Sequence, residues 1–186
     1  MRNSKKERIL RILLNDKDLT RYKIAKKAGC TPSWVYMFLK ELNKKKILNN
    51  KSKLIELWLK IKKKPKYREY LIKEPLDILK NTKLDYALTT YFAETLIQSY
   101  LFPLRYDIYI KPEDLEKWHK ILTKNGFYGQ GNFRILIYDD FKFLNKTTIK
   151  FKGINFKLVS KPQLIVDLMQ EKGPAVEAAE MLMKNV

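Results

Sequence analysis

The sequence predicts an α+β protein in which an N-terminal helical domain precedes a C-terminal α/β domain with a mixed or antiparallel sheet. In roughly the first third of the chain, apolar residues recur at helical spacing. Beyond it, short apolar runs of strand length alternate with helical patterns. The 186 residues are 45% hydrophobic, which is enough to bury a core. We divide the chain into a first domain over 1–53, a linker helix over 54–65 and a second domain over 66–186.

Positive charge is concentrated in the N-terminal part. Residues 1–64 carry 20 Lys and Arg against 5 Asp and Glu, a net +15. Residues 65–186 carry 19 against 15, a net +4, and the chain as a whole carries +19. A segment this basic repels itself and favours a polyanionic partner. A general bias toward lysine would explain the lysine content but not the asymmetry, so the charge indicates nucleic acid.

Composition argues against several other classes of protein. No apolar run approaches the ~20 residues of a membrane span. The basic and then apolar N-terminus is interrupted by Arg8 and Arg11, so we interpret it as an amphipathic helix rather than a signal peptide. A single cysteine, Cys30, and a single histidine, His119, supply neither a disulfide framework nor an ordinary zinc site. We expect a cytoplasmic protein without metal or cofactor.

Two helices are predicted at the start of the first domain. Helix 1 runs from Ser4, a capping residue, to about Leu14. Helix 2 follows Thr20, another capping residue, and ends at Ala28. Gly29 comes next, where a tight turn needs a positive φ.

A third helix is predicted from its cap Thr31 to about Asn43, with Pro32 at its first position. This region resembles the helix-turn-helix motif in its spacing. A small residue, Ala25, is followed by a glycine four residues later and by Val35 after six more. The motif makes one helix project so that it can enter the major groove of duplex DNA. Residues 46–55 are the expected place of a small wing, which would make this a winged helix-turn-helix domain.

The outward face of the third helix predicts base contacts. It carries small polar and aromatic groups, which can meet base edges and thymine methyl groups, rather than the Glu and Lys of a solvated face. A three-helix bundle without a ligand, or a domain contact through Trp34 and Tyr36, is the alternative. The predicted DNA-binding residues are Thr31, Pro32, Ser33, Tyr36, Met37 and Lys40, with Lys23, Lys26, Lys27, Lys44, Lys45, Lys46 and Lys51 on phosphates.

The second domain is predicted from its apolar runs and from its proline and glycine positions. The elements are strands at 67–72, 106–110 and 133–138, helices at 85–101, 112–125, 162–170 and 174–184, and a meander through 141–143, 148–151 and 156–159.

Three segments of the second domain, in this order, resemble the AbiEi family. They are the run Tyr86-Ala-Leu-Thr-Thr-Tyr-Phe-Ala-Glu, the strand Arg105-Tyr-Asp-Ile-Tyr-Ile, and the tail from Leu158 to Gln170 with Glu177-Ala-Ala-Glu-Met-Leu. The family comprises regulator-antitoxins of type IV toxin–antitoxin and abortive-infection systems. The resemblance implies an autorepressor that works beside a nucleotidyltransferase-type toxin. The reduced wing and the lysine-dense linker depart from the family pattern.

A second interpretation is a degenerate or active nucleotidyltransferase. These enzymes hold Mg²⁺ between two carboxylates in Asp-x-Asp spacing after a glycine-rich turn. Here Asp107 is followed by Tyr109 in the second position, and the preceding turn is Thr89-Thr90. An isolated aspartate beside Arg105 is more typical of a structural acid. We therefore predict no enzyme activity and no catalytic residue.

The sequence leaves the role of the second domain open: it could form a homodimer, bind another partner or do neither. Its aromatic density is the reason to consider a homodimer or another partner, although most of these rings are expected in the domain's own core. A basic domain that binds RNA instead of DNA is a third hypothesis. The aromatic residues concerned are Tyr91, Phe92, Tyr100, Phe102, Tyr106 and Tyr109.

Overall fold

A computed structural model describes residues 2–16 and 19–184, and over these ranges the chain forms nine α-helices and one seven-stranded sheet. The helices are α1 Arg2–Asn15, α2 Arg21–Ala28, α3 Pro32–Lys44, α4 Lys51–Ile61, α5 Pro75–Asn81, α6 Thr90–Ile97, α7 Leu115–Lys124, α8 Lys161–Glu171 and α9 Pro174–Met183. The strands are β1 Lys66–Ile72, β2 Ala87–Thr89, β3 Tyr106–Ile110, β4 Gly126–Tyr128, β5 Phe133–Ile137, β6 Lys146–Phe151 and β7 Ile154–Val159.

The sheet is mixed, with strand order β4-β1-β5-β3-β2-β7-β6. The β3–β5 and β2–β7 pairs are parallel, and the other four neighbouring pairs are antiparallel. The α+β class is therefore confirmed, and of the two predicted sheet types the mixed one is correct. The β6–β7 hairpin lies in the region of the predicted meander.

Helix α8 lies at the centre of the molecule. It contacts α9, α6, α4 and α1, and its residues from Pro162 to Leu168 are all buried. Its buried residues are mainly apolar, and they also include the polar Gln163 and Asp167. Helix α4 contacts both α1 and α8, so it connects the N-terminal helices to the sheet domain through packed side chains.

A buried polar cluster joins α1, α4 and the end of β5. The Glu7 carboxylate accepts from Arg11 at 2.8 Å, from the Trp58 indole N–H at 3.1 Å and from the Tyr138 hydroxyl at 3.2 Å. The Arg11 guanidinium lies between the Trp58 and Tyr138 rings, 5.1 Å and 4.9 Å from their centroids. These contacts fix the first domain against the second, and we call them the junction cluster.

The helix predicted over 85–101 is wrong at its start. Residues Ala87–Thr89 form strand β2 between β3 and β7, and α6 begins only at Thr90. All three residues of β2 are buried, so the segment lacks the alternation by which a half-buried strand is recognised. Thr90 makes the change of direction with a φ of 53°.

Other boundaries also differ from the predictions. The helix predicted over 112–125 is shorter, since α7 covers Leu115–Lys124, and Gly126 already begins β4, where a Cβ would come within 2.1 Å of the Leu71 carbonyl oxygen. Helix α5 was not predicted, and 141–143 is a 3₁₀ turn rather than a strand. Ser4 lies inside α1 rather than at its cap, because the helix begins at Arg2.

The predicted wing is not confirmed. After α3 the chain turns tightly, with the amide of Lys46 donating to Asn43 and that of Ile47 to Leu42, both at 2.9 Å. Asn50 then caps α4 by accepting from the Lys53 amide at 2.9 Å. The described structure therefore has a turn and a helix where the wing was expected, and α4 begins earlier than the linker helix predicted over 54–65.

None of the helices in the described part of the chain has the length and apolar character that crossing a membrane requires.

Candidate nucleic-acid interface

Capping residues mark the starts of α2 and α3 and the turn between them. The Thr20 hydroxyl accepts from the Lys23 amide at 3.4 Å, and the Thr31 hydroxyl accepts from the Trp34 amide at the same distance. Gly29 ends α2 in the left-handed conformation with a φ of 64°. A left-handed residue at this position is most easily a glycine, since it has no Cβ to clash.

The two helices pack through the small and branched residues that the spacing singled out. Ala25, Ala28 and Val35 are buried at the contact, together with Ile24 and Phe38. Small alanine side chains let the helices approach closely, and Val35 fills the space between them. The inner side of α3 is thus buried against α2, and its other side faces solvent.

The outer side of α3 is exposed. Tyr36 is 47% and Met37 67% accessible, and Ser33 and Lys40 are exposed as well. These four residues follow i, i+3, i+4 and i+7 spacing and share one face of the helix, which we call the reading face. Trp34 is only partly buried, but its ring packs on Phe38 at 5.7 Å, so it belongs to the domain's packing.

Lysines lie on both sides of the reading face, and we call these two groups the basic flanks. One flank is on α2; the other follows the end of α3. Lys27 lies 3.0 Å from Asp16 and Lys45 lies 2.8 Å from Glu41, and both keep exposed side chains. All members of the flanks are exposed: Lys23, Lys26, Lys27, Lys44, Lys45, Lys46 and Lys51.

The structure adds two residues that the sequence did not single out. Arg21 and Tyr22, in the first turn of α2, line a surface hollow of about 250 Å³ together with residues of the reading face. Tyr22 is 72% exposed, and the Arg21 guanidinium lies 5.2 Å from the centre of the Tyr36 ring. Their position directly after the cap Thr20 is the signal that could have identified them.

In the second domain, Asp107 is fully buried and fully occupied. Its carboxylate accepts paired hydrogen bonds from Arg105 at 2.6 and 3.0 Å and from Arg134 at 3.1 and 2.8 Å, and a further one from the Thr90 hydroxyl. Glu171 bridges the same two guanidiniums. Hydrogen bonds occupy all the lone-pair directions of the Asp107 carboxylate, which is the environment expected of a structural acid.

A second buried network lies beside the first. Asp167 accepts from Lys62, from Gln163 at 2.7 Å, from the Tyr109 hydroxyl at 3.1 Å and from Thr89. Both networks border a cleft of about 310 Å³. In the described residues, no group of three or more His, Cys, Asp or Glu side chains could hold a metal ion.

The aromatic residues of the second domain divide between core and surface. Phe92 and Tyr109 are buried, and Tyr91 and Tyr106 are partly buried. Phe102 is 79% exposed, in a loop that also exposes Tyr100. Most of the rings considered for a partner surface therefore serve the domain's own packing.

Comparison with known proteins gives no relative from which to infer a function. No protein-family model matches the chain, and no curated protein or solved structure is significantly similar to it. The resemblance to the AbiEi family rests on the quoted segments alone.

The Arg105–Asp107–Arg134–Glu171 network is expected to make stability depend on pH. Burial raises the pKa of the Glu171 carboxyl, but the hydrogen bonds and charges of Arg134 and Arg105 outweigh it, so the pKa lies below the ordinary value of 4.5. A carboxyl with a lowered folded-state pKa stabilises the protein above its unfolded pKa, and this contribution is lost as the pH falls through the folded one. When the pH is lowered below 4.5, the free energy of unfolding should therefore fall less for Glu171→Gln than for the wild type.

Urea unfolding of both proteins at about pH 7 and at about pH 3.5 measures this difference. Glu180→Gln, on the exposed side of α9, is the matched control and should follow the wild type. An identical pH dependence of Glu171→Gln and wild type would contradict the ion-pair role of Glu171.

Proposed function

We propose that this protein is a sequence-specific, duplex-DNA-binding transcriptional regulator whose recognition element is α3. The observation that carries the proposal is the exposed reading face of a helix held by its inner side and flanked by lysines. A helix of this kind fits the major groove of B-form DNA, which is wide enough to admit it. A bundle helix without a ligand has no need to expose Tyr36 and Met37.

Phosphate contacts would come from two sources. The first is the amino end of α3, where the helix dipole favours an anion. The second is the pair of basic flanks, which lie before and after the reading face. Because the described residues 46–55 form a turn and the start of α4, Lys44, Lys46 and Lys51 would make the contact with the neighbouring DNA backbone that a wing would otherwise make.

A more specific proposal is an autorepressor and antitoxin of the AbiEi type. It is supported by the resemblance of three ordered segments and by the DNA-binding arrangement of the N-terminal part. In this role the protein binds the control region of its own operon in the cytoplasm, beside a nucleotidyltransferase-type toxin. A reporter fused to the upstream region of the gene tests it: expression should fall when the protein is supplied, and unchanged expression would contradict autorepression.

Duplex binding is expected to weaken steeply with salt. Each phosphate contact contributes about 0.9 to the slope of log affinity against log salt concentration. Lys40→Ala/Lys44→Ala should lower affinity for every duplex and reduce that slope by up to about 2. Fluorescence anisotropy with a labelled duplex, from about 50 to about 200 mM salt, measures both quantities.

The control for this experiment is Lys120→Ala/Lys124→Ala, which removes the same charge from exposed positions on α7. It should leave the slope close to that of the wild type. Equal effects of the two double variants would show that net charge alone determines binding. Absence of duplex binding by the wild type at about 50 mM salt would refute the proposed function. Stronger competition by A-form RNA than by duplex DNA would do the same, because its major groove does not admit α3.

A further inference from the structure

The reading face exposes two large apolar side chains next to each other. Of its four members, Tyr36 and Met37 present large apolar groups at the middle of the helix, and Ser33 and Lys40 lie one turn to either side. Exposed apolar area of this size carries a cost in water that is recovered only when another apolar group covers it. The face therefore favours an apolar target within a highly anionic partner.

A hollow beside the reading face has the size of a small group rather than of a protein helix. Its volume is about 250 Å³, and it lies between the first turn of α2 and the start of α3. Four of its six lining residues are apolar or aromatic, and three of the six belong to the reading face. The residues that line it are Arg21, Tyr22, Pro32, Ser33, Tyr36 and Met37.

The reading face has only one side chain of the kind that reads guanine, Lys40, and it lies at the far end of the face. Guanine is most often recognised by a bidentate arginine or lysine, and adenine by a bidentate asparagine or glutamine. Helix α3, with the sequence PSWVYMFLKELNK, has neither arginine nor glutamine, and its one asparagine is in the last turn. The nearest guanidinium, that of Arg21, lies over the Tyr36 ring at 5.2 Å, and the Lys40 ammonium lies 6.0 Å from the same ring.

We infer that Tyr36 and Met37 recognise the C5-methyl groups of thymine, so that the DNA half-site bound by α3 is centred on A·T pairs. The thymine methyl is the apolar group that the major groove offers, and it projects toward a helix lying there. The basic flanks supply the complementary charge for the phosphates around it. This inference rests on the proposed function, because it requires α3 to lie in the groove of a duplex.

The test replaces thymine by deoxyuridine, which removes the methyl group and leaves base pairing unchanged. A duplex is first selected from a random pool with the full-length protein, and each thymine is then replaced singly. At the contacted positions, affinity should fall about fourfold, the factor that corresponds to one buried methyl group. Met37→Ala and Tyr36→Ala should bind the thymine and deoxyuridine duplexes with nearly equal affinity.

Met181→Ala is the matched control, since Met181 is an exposed methionine on α9, far from α3 in the chain. It should retain the full sensitivity to deoxyuridine. No duplex binding by the wild type overturns the proposed function. Duplex binding without any deoxyuridine effect, selection of sites centred on G·C pairs, or a deoxyuridine effect unchanged in both α3 variants overturns the methyl inference alone.

Discussion

Replacing Asp107 by alanine is expected to lower the free energy of unfolding by about 3–5 kcal/mol, the cost of removing one partner from a buried ion pair. The carboxylate is 0% exposed and accepts from both Arg105 and Arg134. Without it, the partly buried guanidiniums of Arg105, just before β3, and Arg134, on β5, share only Glu171. Their mutual repulsion and their lost hydration are then no longer offset by hydrogen bonds to a carboxylate between them.

Urea unfolding followed by circular dichroism measures the change. Asp139→Ala, an exposed acid, is the control and should stay within about 0.5 kcal/mol of the wild type. A loss below about 1 kcal/mol for Asp107→Ala would contradict the structural role, because such a value is typical of surface ion pairs.

Replacing Trp58 by alanine is expected to cost about 3–5 kcal/mol and to loosen the first domain from the second. The indole is fully buried between α1 and α8, donates to Glu7 and stacks on Arg11. Alanine would leave a cavity and would also expose one side of a buried guanidinium. Since the junction cluster orients α1, and α1 packs against α2, we expect duplex affinity to fall as well.

Trp58→Phe separates the two parts of this effect. It keeps most of the ring but removes the N–H donor to Glu7, so it should cost about 1–3 kcal/mol. Glu56→Ala, exposed on the same helix, should change neither stability nor affinity. If Trp58→Ala unfolds at the same urea concentration as the wild type, α4 does not hold the two parts together in the way described.

The N-terminal helices were predictable because short-range chemistry determines their ends. Thr20, Gly29 and Thr31 act within a few residues of their own positions, through a hydroxyl that accepts an amide proton or a backbone that tolerates positive φ. The buried and exposed sides of α3 follow from helical periodicity in the same way. The wing is not confirmed, because Asn50 caps helix α4 in that segment, and an asparagine before an apolar run suits a cap as well as a turn.

The C-terminal domain was less predictable, since its strands depend on partners that are distant in the chain. Three buried residues, Ala87–Thr89, become a strand only because β3 and β7 lie on either side of them. The environment of Asp107 shows the same limit. Its contact with Arg105 two residues away was expected, whereas Arg134 reaches it through the β3–β5 pairing, and Glu171, on α8, bridges the two arginines.

The sequence by itself determined the mixed α+β class, the basic N-terminal part and the capped helices around Gly29, because charge, periodicity and capping are local properties. Only the tertiary structure decided the strand order and the environment of Asp107, which accepts hydrogen bonds from Arg134 as well as Arg105. These features depend on which surfaces meet when distant segments pack, and no short-range pattern encodes that meeting.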